Sequence, residues 1–140
     1  MRSGLIAGVI GVHLFLISLL IPTFAKAETV LFCQEELSVG LTKENGFWET
    51  TNFKLKRYTI KFNLDYSKLF GLDDRRQYDC APAYTNSPSS LACLSGYSNG
   101  ETFMFNRTAR RFVFSRPSAY GYDSDGVESD IMSGGTCKEF

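Results

Sequence analysis

Carboxylates, guanidinium groups and thiols are the side chains here that could do chemistry, and each type falls in a recognisable spacing. Asp123, Asp125, Glu128 and Asp130 place four carboxylates within eight residues. Such a cluster could bind calcium, and a pair of acids could hydrolyse glycosides if held at the right separation. The EF-hand spacing fails, however. With Gly126 as the loop glycine, the first ligand position falls on Gly121 and the twelfth on Met132. A polar loop shaped by Asp and Gly is the simpler reading. Arg107, Arg110, Arg111 and Arg116 form a second cluster, with Lys138 nearby if the chain ends are joined. Arginine forks match carboxylates and other anions, whereas the plainer account is a charged hairpin that guards a sheet edge. Tyr84, Tyr97, Tyr120 and Tyr122 lie in loop-like segments, and tyrosine suits contact with a protein or glycan partner. Arg107, Arg110, Arg111, Tyr120 and Tyr122 are therefore the candidate binding residues. Trp48 is the only tryptophan, close to Phe47, Phe53 and Tyr58. It could line a pocket, although a lone tryptophan in a small β domain is more often core.

The histidine count narrows the chemistry. His13 is the only histidine, and it lies in an apolar leader. Residues 28–140 contain none, which excludes Ser-His-Asp and Cys-His catalysis and any His-ligated zinc site there. No catalytic residue, metal or cofactor is assigned.

The four cysteines, Cys33, Cys80, Cys93 and Cys137, all follow that leader. A metal held by four thiolates needs paired short spacings such as C-x2-C, and these are far apart. An even count in an exported small domain reads as two disulfides. Cys80 and Cys93 flank the turn-rich stretch from Ala81 to Pro88, and Cys33 and Cys137 stand near the two ends. Three pairings are possible in principle. The expected one is Cys33–Cys137 with Cys80–Cys93, which ties the first strand to the last.

The leader has the form of a secretory signal peptide over residues 1–27. Met1-Arg2 is a short positive region, Leu5 to Ile21 is uncharged and largely apolar, and Ala25-Lys26-Ala27 offers a cleavage site. Pro22 and that site favour cleavage over an uncleaved anchor. The remaining residues 28–140 are read as one domain, exported to the periplasm or beyond. They carry 13 Lys and Arg against 15 Asp and Glu, a formal charge of −2. That balance offers no general attraction to nucleic acid or to an anionic membrane.

Period-2 patterns dominate the domain, and no long 3.6-residue periodicity appears. Tyr58, Ile60, Phe62 and Leu64 alternate with Thr59, Lys61 and Asn63, which describes a strand with one solvated face. Thr102–Phe105 and Arg111–Phe114 form two more strands joined by Asn106–Arg110, with phenylalanines paired across them. Weaker strands fall at Thr29–Cys33, Leu37–Leu41, Leu91–Leu94 and Ile131–Cys137, Asn45-Gly46 signals a turn, and Tyr66–Leu72 suggests a short helical turn. The fold class is all-β: a single small antiparallel sandwich or barrel stapled by two disulfides.

Gly46-Phe47-Trp48-Glu49-Thr50-Thr51-Asn52-Phe53, Phe103-Met104-Phe105-Asn106, Arg111-Phe112, Gly121-Tyr122 and the ending Gly135-Thr136-Cys137-Lys138-Glu139-Phe140 resemble a group of small, exported, uncharacterised bacterial proteins that end in a Gly-Thr-Cys motif. The resemblance spans most of residues 28–140. It implies a secreted β domain and no active site. Exported two-disulfide β domains are also the style of periplasmic lysozyme inhibitors, but the motifs of their blocking loops are absent. In a bacterial protein the sequon Asn106-Arg107-Thr108 would normally stay bare. The expected function is a non-enzymatic binding module acting on an envelope or secreted protein partner. The alternative is a carrier of a lipid-like or aromatic ligand in a small barrel, followed by a carboxylate-based hydrolase.

Overall fold

A computed structural model describes residues 28–73, 76–96, 100–117 and 129–140. Residues 1–27, read above as a signal peptide, Tyr97, Tyr120, Tyr122 and the acids Asp123, Asp125 and Glu128 lie outside them. The described chain contains nine strands and no helix: β1 (Thr29–Glu44), β2 (Phe47–Asn52), β3 (Arg57–Phe62), β4 (Lys68–Phe70), β5 (Gln77–Tyr84), β6 (Ser87–Ser95), β7 (Thr102–Asn106), β8 (Arg111–Arg116) and β9 (Ser129–Glu139). Eight of them close into an antiparallel barrel in the order β1-β3-β4-β5-β6-β7-β8-β9, with β9 returning to β1. Closure removes the free edges that an open sheet would expose.

The long strand β1 serves three neighbours. Its first half pairs with β3, from Thr29 opposite Phe62 to Gln34 opposite Arg57. Its second half pairs with β2, the strand left outside the barrel. Along its other edge it pairs with β9 from Leu31 to Thr42. Between those halves the register slips at Glu35 and Leu37, a β-bulge that bends the strand where it changes partner.

Alternation fills the interior. Leu31, Ile60, Phe62, Leu69, Tyr78, Leu91, Phe103, Phe105 and Phe112 form the buried core. Burying each Leu, Ile or Phe stabilises the fold by about 1.5–3 kcal/mol relative to exposure. The phenylalanines stack: Phe62 on Phe105 at 5.5 Å, and Phe103 on Phe112 at 5.2 Å between centroids. The expected cross-strand pairs are present, with Phe103 opposite Phe114 and Phe105 opposite Phe112.

Both disulfides join directly opposed residues on neighbouring strands. Cys33–Cys137 crosses the β1–β9 seam with its Cα atoms 4.0 Å apart, and Cys80–Cys93 crosses β5–β6 with 3.9 Å. Counting strands in either direction, the two staples are diametrically opposed.

Four local expectations are corrected. Tyr66–Leu72 is a turn followed by β4, not a helical turn. Tyr66 has a positive φ of 60°, while Asn63 Oδ1 accepts from the Lys68 amide at 2.8 Å and Asp65 Oδ1 from that of Ser67. Those side chains satisfy the backbone in a reversal and end β3 at Phe62, so Leu64 lies beyond the strand and is half exposed. The turn between Cys80 and Cys93 is confined to Thr85-Asn86. Pro82 sits within β5 at a register irregularity, where proline is tolerated. Trp48 is not core. It lies opposite Lys43 on the β1–β2 hairpin, outside the barrel, with Lys43 Nζ 5.9 Å from its ring centroid.

Candidate functional site

Arg107, Arg110 and Arg111 stand at or beside the β7–β8 hairpin, whereas Arg116 lies at the far end of β8. Asn106 Oδ1 accepts from the amides of Thr108 and Ala109 and shapes the β7–β8 hairpin. Arg107 leaves that hairpin to donate to the Pro88 carbonyl at 2.7 Å, with its guanidinium 4.8 Å from the centroid of the Tyr66 ring. Arg110, at φ 55°, is ion-paired with Glu139. Both close the end of the barrel opposite its mouth. Arg111 and Arg116, on β8, point to opposite sides: Arg111 outward, Arg116 inward toward the mouth. The two directions define two sites.

The outward site is an apolar row across the barrel wall. Cα register runs Leu37–Gly134–Val113–Met104–Ala92–Ala81 through β1, β9, β8, β7, β6 and β5. Leu37 is 54% exposed, Val113 45% and Met104 37%. Gly134 leaves a notch between Leu37 and Val113, with room for a Cβ and Leu37 Cδ1 on its edge. A recess of about 500 Å³ opens beside the row, where Arg111 and Tyr84 join Leu37, Met104 and Val113. Leu37 reaches this face because the bulge sends both Glu36 and Leu37 outward before Ser38 turns in.

The inward site is the barrel mouth, a cavity of about 470 Å³. Two buried glutamates frame it, each bound to a tyrosine. Glu35 Oε1 accepts from the Tyr58 hydroxyl at 2.6 Å and its Oε2 from the Lys56 amide at 2.7 Å. Glu101 Oε2 accepts from the Tyr78 hydroxyl at 2.8 Å and pairs with Arg76 at 2.6 Å. Burial first, and then the hydrogen bond to the neighbouring glutamate, push the Tyr58 and Tyr78 phenols well above the usual tyrosine range. Phe53, Phe114 and Arg116 complete the wall.

Among the described residues, no group of three His, Cys, Asp or Glu side chains could hold a metal ion, and Asp130 is the only member of the acidic loop that is described. Sequence reasoning missed the outer row, although Phe103-Met104-Phe105 and Phe112-Val113-Phe114 carry its signal. A strand apolar at three successive positions is apolar on both faces. The paired glutamates had no such signal, because register alone brings Glu35 to Tyr58 and Glu101 to Tyr78. Comparisons with protein-family models, with curated proteins and with solved structures find no match.

Proposed function

We propose that the protein is a non-enzymatic, exported binding module that docks on a protein partner through the outer wall formed by β1 and β6 to β9. The observation that carries this reading is the row of Leu37, Val113 and Met104 exposed around the Gly134 notch and rimmed by Arg111 and Tyr84. Contiguous apolar surface on a soluble domain usually marks an interaction site. Arginine, tyrosine and methionine are the residues that interfaces gather. The signal-like leader and two disulfides support an oxidising compartment outside the cytoplasm. The stacked rings of Phe62, Phe105, Phe103 and Phe112 occupy the barrel interior, which favours surface docking over carriage of a lipid inside.

Capture from envelope and secreted fractions tests the reading, with wild-type, Val113→Glu, Met104→Glu and Arg116→Gln proteins as bait. A partner retained by wild type and Arg116→Gln but lost with both outer-wall variants supports it. A partner captured equally by all four baits, or binding of the wall to lipid vesicles instead of protein, overturns it.

A further inference from the structure

We propose that the barrel mouth is a second binding site, one that takes a compact carboxylate with an aromatic or apolar body and grips it through Arg116. This goes beyond the docking reading and stands whether or not the outer wall engages a protein.

The case rests on an enclosed donor without a partner, carried by a side chain that lines a cavity of suitable size. Arg116 Nε and Arg107 Nε are both enclosed without a hydrogen-bond partner among the described residues, but of the two only Arg116 lines the mouth; Arg76 is paired with Asp73 and Glu101 and Arg110 with Glu139. An enclosed donor without an acceptor is costly to keep, and an incoming ligand would remove that cost. A carboxylate suits the position because its two oxygens match the edge of a guanidinium fork.

The glutamates already in the mouth do not supply that acceptor. Both oxygens of Glu35 are engaged, by the Lys56 amide and the Tyr58 hydroxyl. Glu101 is held by Tyr78 and Arg76. Lys54 and Lys56 also line the cavity, as does Asp73, whose carboxylate is paired with Arg76. Phe53 and Phe114 give an apolar body something to lie against. The cavity, about 470 Å³, is at the small end of ligand sites.

Benzoate, its neutral amide benzamide and its cationic counterpart benzylamine are the probes, titrated into the oxidised protein purified after export and followed by nitrogen-15 NMR. Benzoate is expected to saturate and to move the Arg116 Nε–H resonance. Benzamide and benzylamine should bind at least about tenfold more weakly, as the loss of a charged hydrogen bond requires. Arg116→Gln should weaken benzoate by about tenfold or more, with Arg116→Lys between the two. Equal binding of the three probes, undiminished binding to Arg116→Gln, or no benzoate binding up to about 10 mM would overturn the proposal. If Arg116→Gln fails to fold, the wild-type Arg116 resonance decides alone, by moving with benzoate and not with benzamide. Val113→Glu, on the outer wall, should leave benzoate binding unchanged, so failure here is separable from failure of the docking reading.

Discussion

The hydroxyl of Tyr58 donates to Glu35 Oε1 across 2.6 Å, and this contact repairs the place where β1 changes partner. At the bulge the β1–β2 and β1–β3 ladders are separated by residues 53–56, with Phe53 N bonded to Ser38 O and Glu35 N to Lys56 O. The Lys56 amide would face the interior unpaired, and Glu35 Oε2 accepts from it at 2.7 Å. Tyr58 then satisfies the other carboxylate oxygen. Burying such a group without partners would cost several kcal/mol. Tyr78 and Glu101 repeat the arrangement across the mouth.

Alkali should unfold the protein through these two phenols. Their folded-state pKa values are raised, so the native state holds protons that the unfolded state releases near pH 10. That stability is fully present below about pH 10 and is lost as the pH rises further. Each phenol should contribute about 1.4 kcal/mol per pH unit between about pH 10 and 12. Urea unfolding across that window measures the slope, and Tyr58→Phe with Tyr78→Phe should flatten it. An unchanged slope in the double variant would refute the account.

The two disulfides should contribute unequally. Cys33–Cys137 closes 104 residues and Cys80–Cys93 only 13. Chain entropy gives about 4.7 kcal/mol for the first and about 3 kcal/mol for the second. The first also fastens the seam that closes the barrel. Replacing Cys33 and Cys137 together by alanine should therefore lower the urea midpoint more than replacing Cys80 and Cys93. The reverse order would show that residual structure in the unfolded chain, and not loop length, sets the difference.

The fold was largely legible because most strands keep a strict alternation. Tyr58, Ile60 and Phe62 read inward, as found, and the cysteine spacing pointed to the pairing that the barrel needs. Leu37–Leu41 is part of a strand, as expected, but alternation alone does not say which face is buried, and one bulge residue sets the phase that puts Leu37 and Val39 on the outside. The arginine run divides between the two ends of β8. A hairpin and a pleat send Arg107 and Arg110 to one end, Arg111 outward and Arg116 into the mouth. The mouth could not be read in advance, since its glutamates and tyrosines come from segments whose register a linear pattern does not encode.

Adjacent glycines in β9 should respond oppositely to alanine. A Cβ on Gly135, which faces Glu35 across the seam, would lie 2.0 Å from the Gln34 carbonyl oxygen. The strands would have to part, at a cost of about 1–3 kcal/mol or more. A Cβ on Gly134 meets nothing closer than 3.5 Å, so Gly134→Ala should change stability by no more than about 0.5 kcal/mol. Thermal unfolding of the two variants compares them directly. Equal destabilisation would mean that the close approach at Gly135 is absent in solution.

Side chains on the outer wall should separate binding from stability. Arg111 and Tyr84 are both exposed, so truncating either to alanine should shift the unfolding free energy by no more than about 0.5 kcal/mol. Both border the recess beside the Gly134 notch, where an incoming side chain would be shielded from water. Arginine and tyrosine are enriched among the interface residues whose truncation costs about 2 kcal/mol or more, about a thirtyfold loss of affinity. Gly134→Ala should weaken docking as well, by filling the notch without unsettling the barrel. Once a partner has been captured, calorimetric titration against the three variants measures each effect. Full affinity in all three would place the interface elsewhere on the protein and leave the apolar row without a role in binding.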